Sequence, residues 1–135
     1  MRIIIFEGTF ETTAFIRRLV KGLQENNQVF VLGFNIKLKN KVQGVNYISL
    51  GSNQHKLDLV KSSLQHQGIN IVTFKNIIGG ERKKLQQKNL EIILDKIKPD
   101  VIHVQWPSIL PWVEPYLENQ KYPIILSQRG YHTNI

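Results

Sequence analysis

Short apolar runs alternate with longer amphipathic stretches along the chain. The run from Arg2 to Phe6 is apolar and β-branched, which predicts a buried first strand. From about Glu11 to Gln24, apolar residues recur at spacings of three and four, which predicts an amphipathic helix. A second strand is predicted at Gln28 to Phe34, and the strand–helix–strand order implies that the two strands are parallel. The core face of the helix is predicted to hold Phe15, Ile16, Leu19, Val20 and Leu23.

The same alternation continues to the end of the chain. Lysines alternate with apolar residues from Asn35 to Gln43, a pattern compatible with either an exposed strand or a basic loop. Further strands are predicted at Val45 to Leu50, Asn70 to Phe74, within Lys98 to Pro107, and at Tyr122 to Ser127. Helices are predicted at Gln54 to Gln67 (burying Leu57, Val60 and Leu64), Glu81 to Lys98 (burying Leu90, Ile93, Leu94 and Ile97) and Ser108 to Asn119, with Pro111 and Pro115 interrupting the last. This order predicts a single α/β domain built on a doubly wound, mostly parallel Rossmann-like sheet.

The stretch from Lys98 to Pro107 holds the first candidates for a site. Ligands of open parallel sheets bind beyond the carboxyl ends of the strands, where His103, Gln105 and Trp106 are expected. His103 and Gln105 are predicted to share one face of the strand. A histidine in such a strand can also be a satisfied core group, and Trp106 can either stack on a sugar or base or close the core. Trp112 is expected to belong to the core.

The first strand-to-helix turn contains Gly8 and Thr9, at a position where Rossmann-like folds receive phosphates. The three spaced glycines of a dinucleotide fingerprint are absent, which disfavours an NAD or FAD site. The alternative is that Gly8 only permits the turn. After the last strand, Arg129 and Gly130 could offer a guanidinium and bare backbone to a phosphate or carboxylate, with His132 close behind; the alternative there is an ordinary turn.

Composition narrows the chemistry. The chain has no cysteine, so thiol catalysis and disulfides are excluded, and its 4 histidines lack a zinc-type spacing, so no metal site is expected. His55 and His66 are given no role. The first apolar run is too short for a signal peptide or a membrane span, which makes a cytoplasmic location the expectation.

The chain carries 18 lysines and arginines against 10 acidic residues, a net charge of +8. Such a balance favours anionic partners, although a lysine-rich solvated surface gives the same number. Nucleic acid is disfavoured as the partner, because the few aromatic residues are not interleaved with arginines.

Two motifs carry a resemblance to a known family. The segments Asp100-Val-Ile-His103-Val-Gln-Trp and Pro123-Ile-Ile-Leu-Ser-Gln-Arg129-Gly130 resemble the N-terminal domain of family-4 glycosyltransferases, which have the GT-B architecture. The opening strand, the Gly8 turn and the following helix match the start of such domains. In this sequence Gln105 stands where many members have a second histidine.

The resemblance implies a retaining transferase that moves a sugar from a nucleotide-sugar to a glycan or lipid-linked acceptor, needing no metal and no cofactor beyond the donor substrate. Residues 1–135 would form the acceptor-side domain, without the C-terminal donor-binding domain, and the chain alone is expected to be inactive. His103 would line the cleft as a catalytic candidate. The implied substrate-binding residues are Gly8, Thr9, Gln105, Trp106, Arg129, Gly130 and His132.

The resemblance also implies a place in cell-surface polysaccharide synthesis, with the domain peripheral at the inner membrane face. An anionic membrane surface would be contacted through basic helices. The candidate cations are Arg17, Arg18, Lys21, Arg82, Lys83, Lys84 and Lys88. The competing hypotheses are a non-catalytic Rossmann-like binding module and half of a nucleotide-sugar epimerase.

Overall fold

A parallel β-sheet forms the centre of the computed structural model, which describes residues 1–8, 14–34, 41–69 and 71–127. The strands are β1 (Arg2–Gly8), β2 (Gln28–Gly33), β3 (Asn46–Ser49), β4 (Val101–Val104) and β5 (Ile124–Leu126). The helices are α1 (Ala14–Leu23), α2 (Lys56–Gln67), α3 (Ile71–Gly79), α4 (Arg82–Ile97) and α5 (Leu110–Glu118), with a 3₁₀ turn at Pro107–Ile109. No helix in these ranges is both long and apolar enough to cross a bilayer.

The strands are ordered β3-β2-β1-β4-β5, and every pairing between neighbours is parallel. The chain moves outward from β1 to β3 on one side and then returns to place β4 on the other side of β1. The order therefore reverses between β1 and β4, and in an open α/β sheet the ligand crevice lies at such a reversal.

Helices cover both faces of the sheet. On one face, Ile3 and Ile5 of β1 pack with Ile16 and Val20 of α1. On the other face, Ile4 and Phe6 join a cluster supplied by α4 and α5. Successive strand side chains point to opposite faces, so the uninterrupted apolar run in β1 can feed both layers. The doubly wound, Rossmann-like α/β prediction is confirmed.

The prediction of a strand at Asn70 to Phe74 is wrong. Ile71–Gly79 is the helix α3, which packs on α2 and the start of α4 through Ile77. The window Asn-Ile-Val-Thr-Phe is strand-like when taken alone. Extended by four residues, it brings in Ile77 and Ile78, whose spacing from Ile71 and Phe74 suits a helix.

Two predicted core positions are also wrong. Leu57 is 84% exposed, and Phe15 is 56% exposed. In α2 the fully buried positions are Leu59, Ser62 and Ser63, because this helix packs on polar side chains of α4. The four core residues predicted for the long helix α4 are confirmed.

The structure also tests the predicted helix cap at Gly68, the prolines of the last helix and the position of Trp112. Gly68 caps α2 as expected, with φ of 99° and its N–H donating to the carbonyl of Leu64. Pro111 does not interrupt α5, since it lies in the first turn, where a helix has no use for the missing N–H. Trp112 packs against the core cluster. Residues 35–40 lie outside the described residues, so the choice between an exposed strand and a basic loop is not settled there.

Candidate functional site at the carboxyl edge of the sheet

The end of β1 lies against the turn that follows β4. Gly8 has a φ of 98°, in the left-handed region that favours glycine. A Cβ atom at Gly8 would lie 3.2 Å from Cδ1 of Ile109. The carbonyl of Gly8 accepts a hydrogen bond of 2.6 Å from the N–H of Phe34, just past β2. A side chain at Gly8 would press on Ile109, and the positive φ favours glycine there.

Trp106 lies at the same edge. It is half-buried and extended, its carbonyl accepts a hydrogen bond of 3.1 Å from the N–H of Ile109, and its ring packs against the cluster on the α4 and α5 face. Pro107 then starts the 3₁₀ turn. Gly8 and Trp106 therefore both lie beside Ile109, at the carboxyl ends of the two strands that flank the reversal.

His103 lies on the opposite face of the sheet. It is in register with Ile5, which packs with α1, and with Ile125 of β5. Its Nε2 is 2.7 Å from Oγ of Ser127, and the ring is half-buried. Ile125 is 54% exposed, so this end of the α1 face remains accessible among the described residues. The imidazole and the Ser127 hydroxyl form a hydrogen-bonded pair that can donate to and accept from a ligand hydroxyl.

Gln105 is fully buried, directly after β4. Its N–H donates a hydrogen bond of 3.1 Å to the carbonyl of Phe6, which continues the pairing of β4 with β1 past the last strand residue. In this structure Gln105 supports the strand ends from within, whereas His103 and Trp106 have surface open to solvent.

Glu7 is a residue that sequence reasoning passed over. It lies next to Gly8 at the end of β1 and is only 1% exposed. Acidic residues are seldom fully buried unless they are partnered. The signal was present in the sequence, because Glu7 interrupts an apolar strand at its carboxyl end.

Four of the predicted substrate-binding residues, Thr9, Arg129, Gly130 and His132, lie outside the described residues. Within the described ranges, no cluster of three or more histidine and carboxylate side chains gathers where a metal ion could be held. The described edge offers the half-buried indole of Trp106 and the hydrogen-bonded pair of the His103 imidazole and the Ser127 hydroxyl. It also holds Gly8, where the backbone approaches Ile109 closely. These groups suit a polar, hydroxyl-rich ligand that presents a flat apolar face.

Comparison with known proteins gives this edge a context. No curated protein matches the chain at a significant level. The family model for glycosyl transferase 4-like proteins matches residues 18–133, which include β4, the 3₁₀ turn and β5. The match covers most of the chain and confirms the resemblance drawn from the segments around His103 and Ser127. The chain belongs to the glycosyl transferase 4-like family.

Proposed function

We propose that this chain is the acceptor-side domain of a glycosyltransferase that moves a sugar from a nucleotide-sugar to a glycan or lipid-linked acceptor in cell-surface polysaccharide synthesis. The observation that carries the proposal is the pair His103–Ser127, 2.7 Å apart, on strands that end at the open edge of a sheet of this family. A half-buried imidazole held by a hydroxyl is positioned to hydrogen-bond a sugar hydroxyl and to accept its proton.

The other residues of the edge take supporting roles in this proposal. Trp106 offers an aromatic face on which a sugar ring can stack. Gly8 lets the backbone of the first turn approach the donor phosphates, and Thr9 follows it. Gln105 would act by holding the ends of β1 and β4 together. Arg129, Gly130 and His132 complete the proposed wall of the cleft, and a C-terminal donor-binding domain supplies the opposite wall.

The test uses the imidazole of His103 as a reporter. The purified chain, labelled with ¹⁵N in its histidines, is titrated with a panel of short hexose oligosaccharides, then with UDP-glucose and GDP-mannose. We expect the His103 resonances to move with at least one oligosaccharide. The internal control is His66, which contacts the end of β3 on the other face of the sheet. Three strand spacings separate β4 from β3, or about 14 Å.

Two outcomes decide the matter. If His103 moves while His66 stays fixed, and His103→Ala weakens binding by about tenfold, the edge is an acceptor site; that factor corresponds to losing a hydrogen bond of about 1.4 kcal/mol. If no member of the panel moves His103, or if His103→Ala binds as tightly as the native chain, the proposed role of His103 is wrong.

The domain is further proposed to be peripheral at the inner membrane face. The two basic sets lie on helices that cover opposite faces of the sheet, because α1 carries Arg17, Arg18 and Lys21, whereas α4 carries the others. A flat bilayer can face one of these helices and not both. We propose α4 for this contact because it carries four of the candidate cations, Arg82, Lys83, Lys84 and Lys88, against three on α1. Failure of the chain to co-sediment with anionic vesicles at low salt would contradict the assignment.

A further inference from the structure

Helix α3 presents its apolar residues to solvent instead of to the core. Ile71, Phe74 and Ile78 are 76%, 46% and 50% exposed, and Ile69, just before the helix, is 88% exposed. Their spacing of three, four and seven residues places the helical members on one side of α3. The single deeply buried side chain described on this helix is Ile77, which packs against Leu59 and Leu85. We call Ile69, Ile71, Phe74 and Ile78 the α3 stripe.

The α3 stripe forms one continuous surface. Its four residues, with Lys75 and Gly79, line a shallow groove of about 680 Å³. Single exposed apolar residues are normal on soluble proteins, whereas several large ones side by side mark a surface that binds a partner or a membrane. The α3 stripe therefore needs an occupant.

The charged residues near the α3 stripe indicate which kind of partner it binds. Lys75 lies within the groove itself. Only Gly80 and Glu81 separate α3 from α4, whose first turn adds the exposed cations Arg82 and Lys84. Glu81 is the one acidic residue at this junction, and its contact with Lys84 is a long, exposed pair of 3.9 Å, which holds little energy. An apolar surface rimmed by cations complements a layer of anionic headgroups over hydrocarbon.

A second copy of the chain fits less well. Pairing two α3 stripes would place one Lys75 near the other and would join two molecules that each carry a net charge of +8. The repulsion between the two lysines and that between the two net charges both oppose self-association. An anionic bilayer attracts Lys75 and the positively charged chain instead.

We propose that the α3 stripe inserts into the interfacial layer of an anionic phospholipid bilayer, with Lys75, Arg82 and Lys84 at the headgroups. This inference deepens the membrane contact proposed above by supplying an apolar part, and it holds whether or not the chain transfers sugar. Salt screens the cations and not the burial of isoleucine and phenylalanine, so the two parts can be measured separately.

The absence of cysteine allows a single reporter to be placed at will. Phe74→Cys and, as matched control, Phe15→Cys on α1 are each labelled with an environment-sensitive fluorophore. Both positions are exposed phenylalanines, on helices that pack against different layers. The probe membrane is vesicles of equal parts phosphatidylcholine and phosphatidylglycerol, with pure phosphatidylcholine as the uncharged control. We expect the Phe74 label to brighten and to be quenched by brominated acyl chains, and the Phe15 label to respond to neither.

Binding variants complete the test. Ile71→Ser with Ile78→Ser should lower vesicle affinity by about tenfold or more, and most clearly at high salt, because two large side chains are no longer buried. Phe15→Ser should leave vesicle affinity unchanged. The free energy of unfolding of the double variant is measured in parallel and should stay close to the native value, since both isoleucines are exposed.

Three results would overturn the inference. The first is a Phe74 label that responds no more than the Phe15 label on phosphatidylglycerol vesicles. The second is a double variant that binds the vesicles as tightly as the native chain at every salt concentration. That result would exclude insertion and would leave only the cationic contact. The third is concentration-dependent dimerisation that the double variant abolishes, which would identify a second copy as the occupant.

Discussion

At the scale of single residues, Gly8 links the geometry of the site to the stability of the fold. Its φ of 98° is strained for any other residue, and a Cβ there would be 3.2 Å from Ile109. Gly22 in α1 is the natural comparison, because a Cβ added there meets nothing within 4 Å. The same glycine-to-alanine change therefore has opposite physical consequences at the two positions.

We expect Gly8→Ala to lower the free energy of unfolding by about 1–3 kcal/mol, the range for a residue forced into a sparsely populated conformation. Gly22→Ala should be neutral or stabilising by up to about 1 kcal/mol, since alanine favours the helix. Urea denaturation of both variants measures the difference. Equal midpoints for the two variants would mean that the backbone at Gly8 relaxes freely.

We expect His66 to make the stability of the fold depend on pH. Its Nε2–H donates to the carbonyl of Ser49 at 2.8 Å. Burial lowers the pKa of His66 from its ordinary value of 6.5, the nearby Lys96 lowers it further, and the bond to Ser49 opposes them. Lys41 and Lys61 line the same groove. Because the pKa is lower in the folded state, the unfolded chain binds the proton more readily.

The free energy of unfolding should therefore be highest above pH 6.5 and should fall as the pH drops below 6.5 towards the folded pKa of His66. His66→Gln keeps a donor for the Ser49 carbonyl and removes the titration, so it should flatten the profile between about pH 7.5 and pH 5.5. His55→Gln, at an exposed histidine, serves as the control and should keep the native profile. A native slope in His66→Gln would show that another group is responsible.

At the scale of elements, a polar interface joins α2, α4 and the loop after β3. Asn89 is fully buried, and its Nδ2 donates to the carbonyl of Leu50 at 2.9 Å and to Oγ of Ser63 at 3.0 Å. Its Oδ1 accepts a hydrogen bond from Gln67 at 2.9 Å. One amide of α4 thus bonds to groups from two other segments, α2 and the loop after β3, and this is why Ser63 occupies a buried position on α2.

Asn89→Ala should lower the free energy of unfolding by about 2–4 kcal/mol, because the carbonyl of Leu50 and the amide of Gln67 both lose their partner. Asn76→Ala on α3 is the matched control, since Asn76 is exposed, and it should change the free energy by no more than about 0.5 kcal/mol. Chemical denaturation checks both variants. A small effect at Asn89 would mean that water enters and replaces the amide.

Hydrophobic spacing predicts an element well when the buried face is apolar. The four core residues of α4 and the parallel strands followed from spacing alone, because Leu90, Ile93, Leu94 and Ile97 cover an apolar sheet. For α2, spacing predicted the helix but gave part of its buried face wrongly, because Ser63 is buried against Asn89 and Leu57 lies outside. For α3 the short window from Asn70 to Phe74 suggested a strand, and the helical spacing is seen only when Ile77 and Ile78 are included.

The site was predictable as far as strand ends define it. The position of His103 near the carboxyl end of β4 and that of Gly8 at the end of β1 follow from the order of elements. The partnership of His103 with Ser127 depends on the register between β4 and β5, which one sequence does not contain. The full burial of Gln105 is likewise a property of the packed sheet that its residue type does not indicate. Residue types locate an edge, whereas register decides which side chains meet there.

At the scale of the whole molecule, the described edge forms one wall of the space in which the proposed enzyme would carry out its transfer. Gly8 and Trp106 approach from the α5 face and His103 with Ser127 from the α1 face, with Gln105 buried between them. A transfer between two substrates needs both to be enclosed, since water competes with the acceptor at an open edge. In the proposed enzyme, closure by the donor-binding domain supplies that enclosure.

The purified 135-residue chain is therefore expected to transfer no sugar, even where it binds an acceptor. Incubation with UDP-glucose or GDP-mannose and the oligosaccharide panel should release nucleotide at the rate of the buffer alone, as measured by a coupled nucleotide assay. His103→Ala, purified in parallel, separates a true signal from a contaminating enzyme, because contamination is indifferent to that substitution. Turnover that is present in the native chain and lost in His103→Ala would show that one wall suffices for the reaction, and the requirement for a second domain would then be wrong.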